Sequence, residues 1–124
     1  MSPREHSVRV QDILDRVNRI IFAENYLKEI EGNPSLLSEN PNISTMVLDS
    51  ILYCLLVIGE AVKSLNPEMK LRSGFVPWNE IVGLRNLLAH QYFNTEADMI
   101  KSIINLPLTQ LKEVCEYEAE CQEF

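Results

Sequence analysis

The feature that most constrains this chain is a hydrophobic period of three to four residues that returns along almost its whole length. Over residues 7–30, Val10, Ile13, Leu14, Val17, Ile20, Ile21, Tyr26, Leu27 and Ile30 fall at such steps, with Arg, Asp, Lys and Glu between them. That spacing lays one apolar face along an α-helix. Glu31-Gly32-Asn33-Pro34 supplies a glycine at the helix end and then a proline, which predicts a loop. Asn40 as N-cap and Pro41 in the first turn predict a long second helix carrying Met46, Val47, Ile51, Leu52, Leu55, Leu56, Ile58, Ala61, Val62 and Leu65. Apolar around much of its circumference, this segment is expected at the centre of a bundle.

Asn66-Pro67 ends the second helix, and the stretch to Pro77 reads as a connector. A third helix is expected with Pro77 at its first position, running through Ile81, Leu84, Leu87 and Leu88 and ending near residues 90–93. Thr95 and Asp98 are spaced as a capping box before a short fourth helix through Met99, Ile100, Ile103 and Ile104. Asn105-Leu106-Pro107 predicts a break, and Leu108, Leu111, Val114, Cys115 and Tyr117 give a last amphipathic helix. No segment sustains the period-two alternation of a half-buried strand. The expectation is an all-α, antiparallel bundle of four to five helices, with residues 1–124 forming one domain.

Composition narrows the function classes. Eighteen acids against eleven Lys and Arg give a net charge of −7, so no global basic field attracts nucleic acid. Five of those acids, Glu113, Glu116, Glu118, Glu120 and Glu123, crowd the C-terminus, and the rest of the chain is close to balance. Cys54, Cys115 and Cys121 form no CxxC pair and cannot all pair with one another, which argues against a zinc knuckle or a disulfide scaffold and for a cytoplasmic protein. The polar N-terminus lacks a signal-peptide core, and the most apolar run, residues 51–59, is short for a membrane span. Four scattered glycines provide no phosphate loop.

The residues with most chemical content lie between Val76 and Asn94: Arg85, His90 five positions on, and Tyr92 two beyond that. His90 can move a proton at neutral pH, either from a ribose 2'-hydroxyl or to a leaving 5'-oxygen. Arg85 carries a permanent forked charge suited to a scissile phosphate and to the added charge of its transition state. Neither role needs a metal or cofactor. On one continuous helix His90 would stand roughly 140° around the axis from Arg85. The pair therefore needs either a loosened turn before His90 or a second copy of the chain. Asn86 and His90, four apart, share a face, so the Asn86 amide can orient the imidazole. Arg85 and Tyr92, seven apart, also align.

Structural readings stand beside these. Arg85 could instead pair with Glu80 or Glu60, and Tyr92 could pack against Trp78 or Phe93. Glu60, in an apolar helix, suits either a buried ion pair or a site neighbour. His6, in a polar segment, is expected to be solvated, and the C-terminal glutamates to form a solvated face or to meet a basic partner.

The Arg85-x4-His90-x-Tyr92 pattern, the Pro77-Trp78 opening, Asn86 after the arginine, and Ile58-Gly59-Glu60-Ala61 on the preceding helix together resemble the HepT-like proteins of the HEPN superfamily. Leu87 stands where relatives often have a polar residue, and Gln91 where many have glycine. The resemblance implies a metal-independent ribonuclease toxin, with Arg85 and His90 catalytic and Asn86 supporting. It acts as a homodimer with one cleft between two chains, without a membrane. It also implies a small MntA-like nucleotidyltransferase antitoxin, which transfers AMP to Tyr92 and can build a larger hetero-oligomer with the toxin. An adenylate there would place a bulky anion beside Arg85. Two other readings differ in kind: a non-catalytic module that its nucleotidyltransferase binds and modifies, and a purely structural helical adaptor.

Overall fold

The protein is described by a computed structural model, which covers residues 3–83 and 97–121. Helix α1 spans Pro3–Glu31, α2 Pro34–Glu39, α3 Ile43–Lys63, α4 Pro67–Arg72 and α6 Ala97–Cys121; between the last two, α5 opens at residue 78 and is described through 83. Among the described residues there is no strand, so the all-α expectation holds, with six helices rather than four or five.

The core is built mainly where α1 meets α3 and where α6 lies along α1. Val10, Ile13, Leu14, Val17 and Ile20 from α1 pack with Ile51, Leu52, Leu55, Ile58 and Val62 from α3 and with Leu108, Leu111, Val114 and Cys115 from α6. Helices α1 and α3 run antiparallel: Arg16 lies over Tyr53, while residues 18–26 share a groove with residues 43–50. By length and composition α3 could cross a membrane. Its role here is that of a bundle's inner helix, with eight of its residues buried.

The departures from the periodic reading come from prolines and short elements. Residues 34–39 are helical, not loop, because Pro34 occupies a first-turn position where its missing N–H costs nothing and Asn33 Oδ1 accepts from the Leu36 N–H at 3.2 Å. Asn40 does not open α3. Its backbone and side-chain N–H groups both donate to the Leu36 carbonyl and close α2, so α3 begins at Ile43. The connector after α3 contains α4, which buries Met69. Pro77 caps α5 instead of sitting at its first position, and its carbonyl accepts from the Ile81 N–H at 3.0 Å. The expected break at 105–107 is absent, because α6 runs through Pro107. An interior proline costs about 3 kcal/mol. Burial of Leu108, Leu111, Val114 and Cys115 on one face offsets it by holding the helix against α1. Ile21 and Tyr26, read as part of the α1 apolar face, are more than a third exposed.

Candidate functional site

Arg85, Asn86, His90 and Tyr92 lie outside the described residues, as do Phe93 and Thr95. The described residues show how the segment that carries them is launched. Val76, Trp78 and Ile81 are buried in the common core. The Trp78 indole N–H is shared between the Lys70 and Ser73 carbonyls, each at 3.0 Å. The backbone adds Val76 N–H to the Ser73 carbonyl at 3.1 Å and Trp78 N–H to the Val76 carbonyl at 2.8 Å. Two apolar anchors and a bonded indole thus fix the start of α5 against α4. Seven positions separate Trp78 from Arg85, which on a continuing helix is about two turns. Glu60 is exposed, while Gly59 beside it is buried against the core.

The chain's other histidine occupies a site that the sequence reading placed in solvent. His6 is 2% exposed, inside the first turn and a half of α1. Its Nδ1 accepts from the Asn66 backbone N–H at 3.4 Å, and its Nε2 lies 3.5 Å from Glu118 Oε1. Both Glu118 oxygens in turn accept from Arg72 Nη2, at 3.0 Å each. One imidazole therefore joins the start of α1, the turn between α3 and α4, and the end of α6, with α4 attached through Arg72. Nδ1 accepts a hydrogen bond, whereas the buried Nε2 faces the carboxylate without a hydrogen bond of its own. A ring without a solvent face cannot meet a phosphate, so His6 is structural. The missed signal is spacing, since His6 precedes Val10 by four and Ile13 by seven and falls on the buried stripe.

The same end of the bundle holds Cys115, whose thiol is pushed up to about 12 first by burial and then by Glu118 and Glu116. It stays protonated and is no nucleophile. Cys54 is also buried, Cys121 is exposed, and all three are free thiols. Among the described residues no group of three or more His, Cys, Asp or Glu is placed to hold a metal. Of the C-terminal glutamates, 113, 116 and 120 are exposed, as expected of a solvated face, but Glu118 is drawn in by His6 and Arg72.

Along α1 in the other direction the surface changes character. A cleft of about 580 Å³ opens between α1 and α3, lined by Asn18, Arg19, Phe22 and Tyr26 on one wall and Met46 and Ser50 on the other. Phe22 is 74% exposed and Met46 68%. The Arg16 guanidinium lies 5.2 Å from the centroid of the Tyr53 ring, a cation–π contact at the cleft's edge.

The chain matches the family model for "Ribonuclease HepT-like" over residues 23–118, a span that includes positions 85–92. It is 29% identical over 116 residues to "Putative RNase MJ1380" of Methanocaldococcus jannaschii, an alignment covering 94% of this chain and 98% of that one. It is 41% identical over 67 residues to "Putative RNase TTE0752" of Caldanaerobacter subterraneus subsp. tengcongensis, covering 54% of each. "Probable ribonuclease HepT" of Thermococcus cleftensis is 24% identical over 109 residues, 88% of this chain and 91% of that one. No solved structure gives a significant match. With its helical bundle and a family match across most of its length, the chain belongs to the HepT-like ribonuclease family.

Proposed function

We propose that this protein is the toxin of a toxin–antitoxin pair, a cytoplasmic endoribonuclease that cuts cellular RNA without a metal. The observation that carries the reading is the family match over residues 23–118, with Arg85, His90 and Tyr92 inside it. In the proposed reaction a His90 imidazole takes the proton of a ribose 2'-hydroxyl, the 2'-oxygen attacks phosphorus, and the 5'-oxygen leaves with a proton delivered to it. Arg85 holds the phosphate and the charge that accumulates on its oxygens. A two-fold pair of chains supplies two imidazoles, one to accept the proton and one to donate it. It also resolves the roughly 140° between Arg85 and His90 on a continuous helix. Asn86 orients the ring.

Control would come from a partner nucleotidyltransferase that transfers AMP to Tyr92. The adenylate, about two helical turns from Arg85 and on the same face, occupies the phosphate site and repels the substrate. Protein expressed without the partner should cut end-labelled RNA in the presence of chelator, and AMP on Tyr92 should stop it. Intact-mass detection of the adduct on an equally active protein would contradict this control.

A further inference from the structure

The cleft between α1 and α3 opens to solvent, and the chemistry of its described lining is specific. It is lined by one guanidinium, Arg19, and two aromatic rings, Phe22 and Tyr26, and about one helical turn beyond this lining Arg16 of α1 lies over the Tyr53 ring of α3. Phe22 and Tyr53 are both more than half exposed, and Arg16 already covers Tyr53. We propose that this cleft is a docking track for single-stranded RNA, a proposal that rests on the ribonuclease reading above for its biological sense. Phe22 and Tyr26 offer ring faces to unpaired bases, the apolar wall around Met46 shelters them, and Arg19 and Arg16 meet the phosphates.

Charge placement makes this surface compatible with an acidic chain. Glu118, among the C-terminal glutamates, lies at the other end of α1, 3.5 Å from His6. Thirteen residues of helix separate His6 from Arg19, a rise of about 20 Å, roughly twice the screening length at physiological salt. Of the acids on α1 near the cleft, Asp12 faces Arg9, Asp15 accepts from Gln11, and Glu24 faces Lys28.

The test is fluorescence anisotropy of a labelled oligouridine with the full chain carrying His90→Ala, which keeps the RNA intact, in chelator and at several salt concentrations. Phe22→Ala added to that background should weaken binding about tenfold. Arg19→Ala should weaken it and lower the slope of log affinity against log salt by about 0.7. Both side chains line an open cleft, so circular dichroism should confirm an unchanged fold. Unchanged oligouridine affinity in both variants would overturn the track, even if the wild type cuts RNA in a His90-dependent way. Variants that lose self-association in sedimentation but keep RNA affinity would also overturn it, assigning the cleft to a second copy. Binding that depends on Phe22 in a chain that cuts no RNA would sustain the track while removing the ribonuclease reading.

Discussion

Helix α1 has two ends that break the rule of polar outside and apolar inside in opposite ways. Near its start, the polar His6 is buried, with its Nδ1 bonded to the Asn66 N–H and its Nε2 3.5 Å from Glu118 without a hydrogen bond. Further along, the apolar Phe22 stands in solvent beside an open cleft. A buried polar group is tolerated where its partners replace water, so the first end is a lock between elements. An exposed aromatic beside guanidiniums gains nothing for folding, so the second end is a surface kept for a ligand. The contrast separates a histidine that holds the bundle together from residues available for binding.

The sharpest way to break this comparison is His6→Ala. It leaves the Asn66 N–H without its acceptor and opens a hole beneath α1, and should cost about 2–3 kcal/mol in urea unfolding. A loss under about 0.5 kcal/mol would mean that the lock is decorative. Next in size is an alkaline effect at the same end. The folded Cys115 thiol ionises near 12 against an ordinary value of 9.0, so between those values the unfolded chain releases a proton that the folded chain keeps. Stability should therefore fall as pH rises, with this residue contributing about tenfold in the folding equilibrium per pH unit. Cys115→Ala should flatten that slope between pH 9 and 11 under reducing conditions, and an identical slope would contradict the assignment.

Arg72→Ala sharpens the comparison by separating the lock's exposed arm from its buried ring. Arg72 is 57% exposed, so solvent screens the hydrogen bonds its Nη2 donates to both Glu118 oxygens, and the loss should stay within about 1 kcal/mol and shrink further in salt. A larger cost than that of His6→Ala would reverse the assigned roles. The smallest effect should come from Phe22→Ser, within about 0.5 kcal/mol either way in the same unfolding measurement. A cost of several kcal/mol would show that the ring is core and that the cleft is not an open face.

Much of the frame was legible in the sequence, because α1 and α3 are long enough for a three-to-four-residue period to declare itself. Helices α2 and α4, six residues each, are too short to show a period. Their prolines read equally as stops and as first-turn residues. Pro107 was read as a break because local geometry opposes it, and tertiary burial of the residues after it carried the helix through. His6 was read as solvated because α1 was started at residue 7, one position too late to notice the shared stripe with Val10 and Ile13. At the site, the spacing of Arg85, His90 and Tyr92 alone is weakly specific, and its resemblance to the family that the match over residues 23–118 assigns rested on that spacing together with Pro77-Trp78, Asn86 and Ile58-Gly59-Glu60-Ala61. The α1–α3 cleft was not legible, because it depends on which residues of two separate helices face each other across a gap. Arg16 and Arg19 could be named as cations, but not their pairing with Tyr53, Phe22 and Tyr26.

The central claim is a metal-independent cut made with His90. Its most direct test is cleavage of end-labelled tRNA and mRNA, in chelator, by protein expressed without its partner, with wild type and His90→Ala compared side by side. Chelator-resistant cleavage that falls by about 10²- to 10⁴-fold in the variant is the predicted result. Equal cleavage by both proteins, or none by unmodified wild type on either RNA, would contradict it.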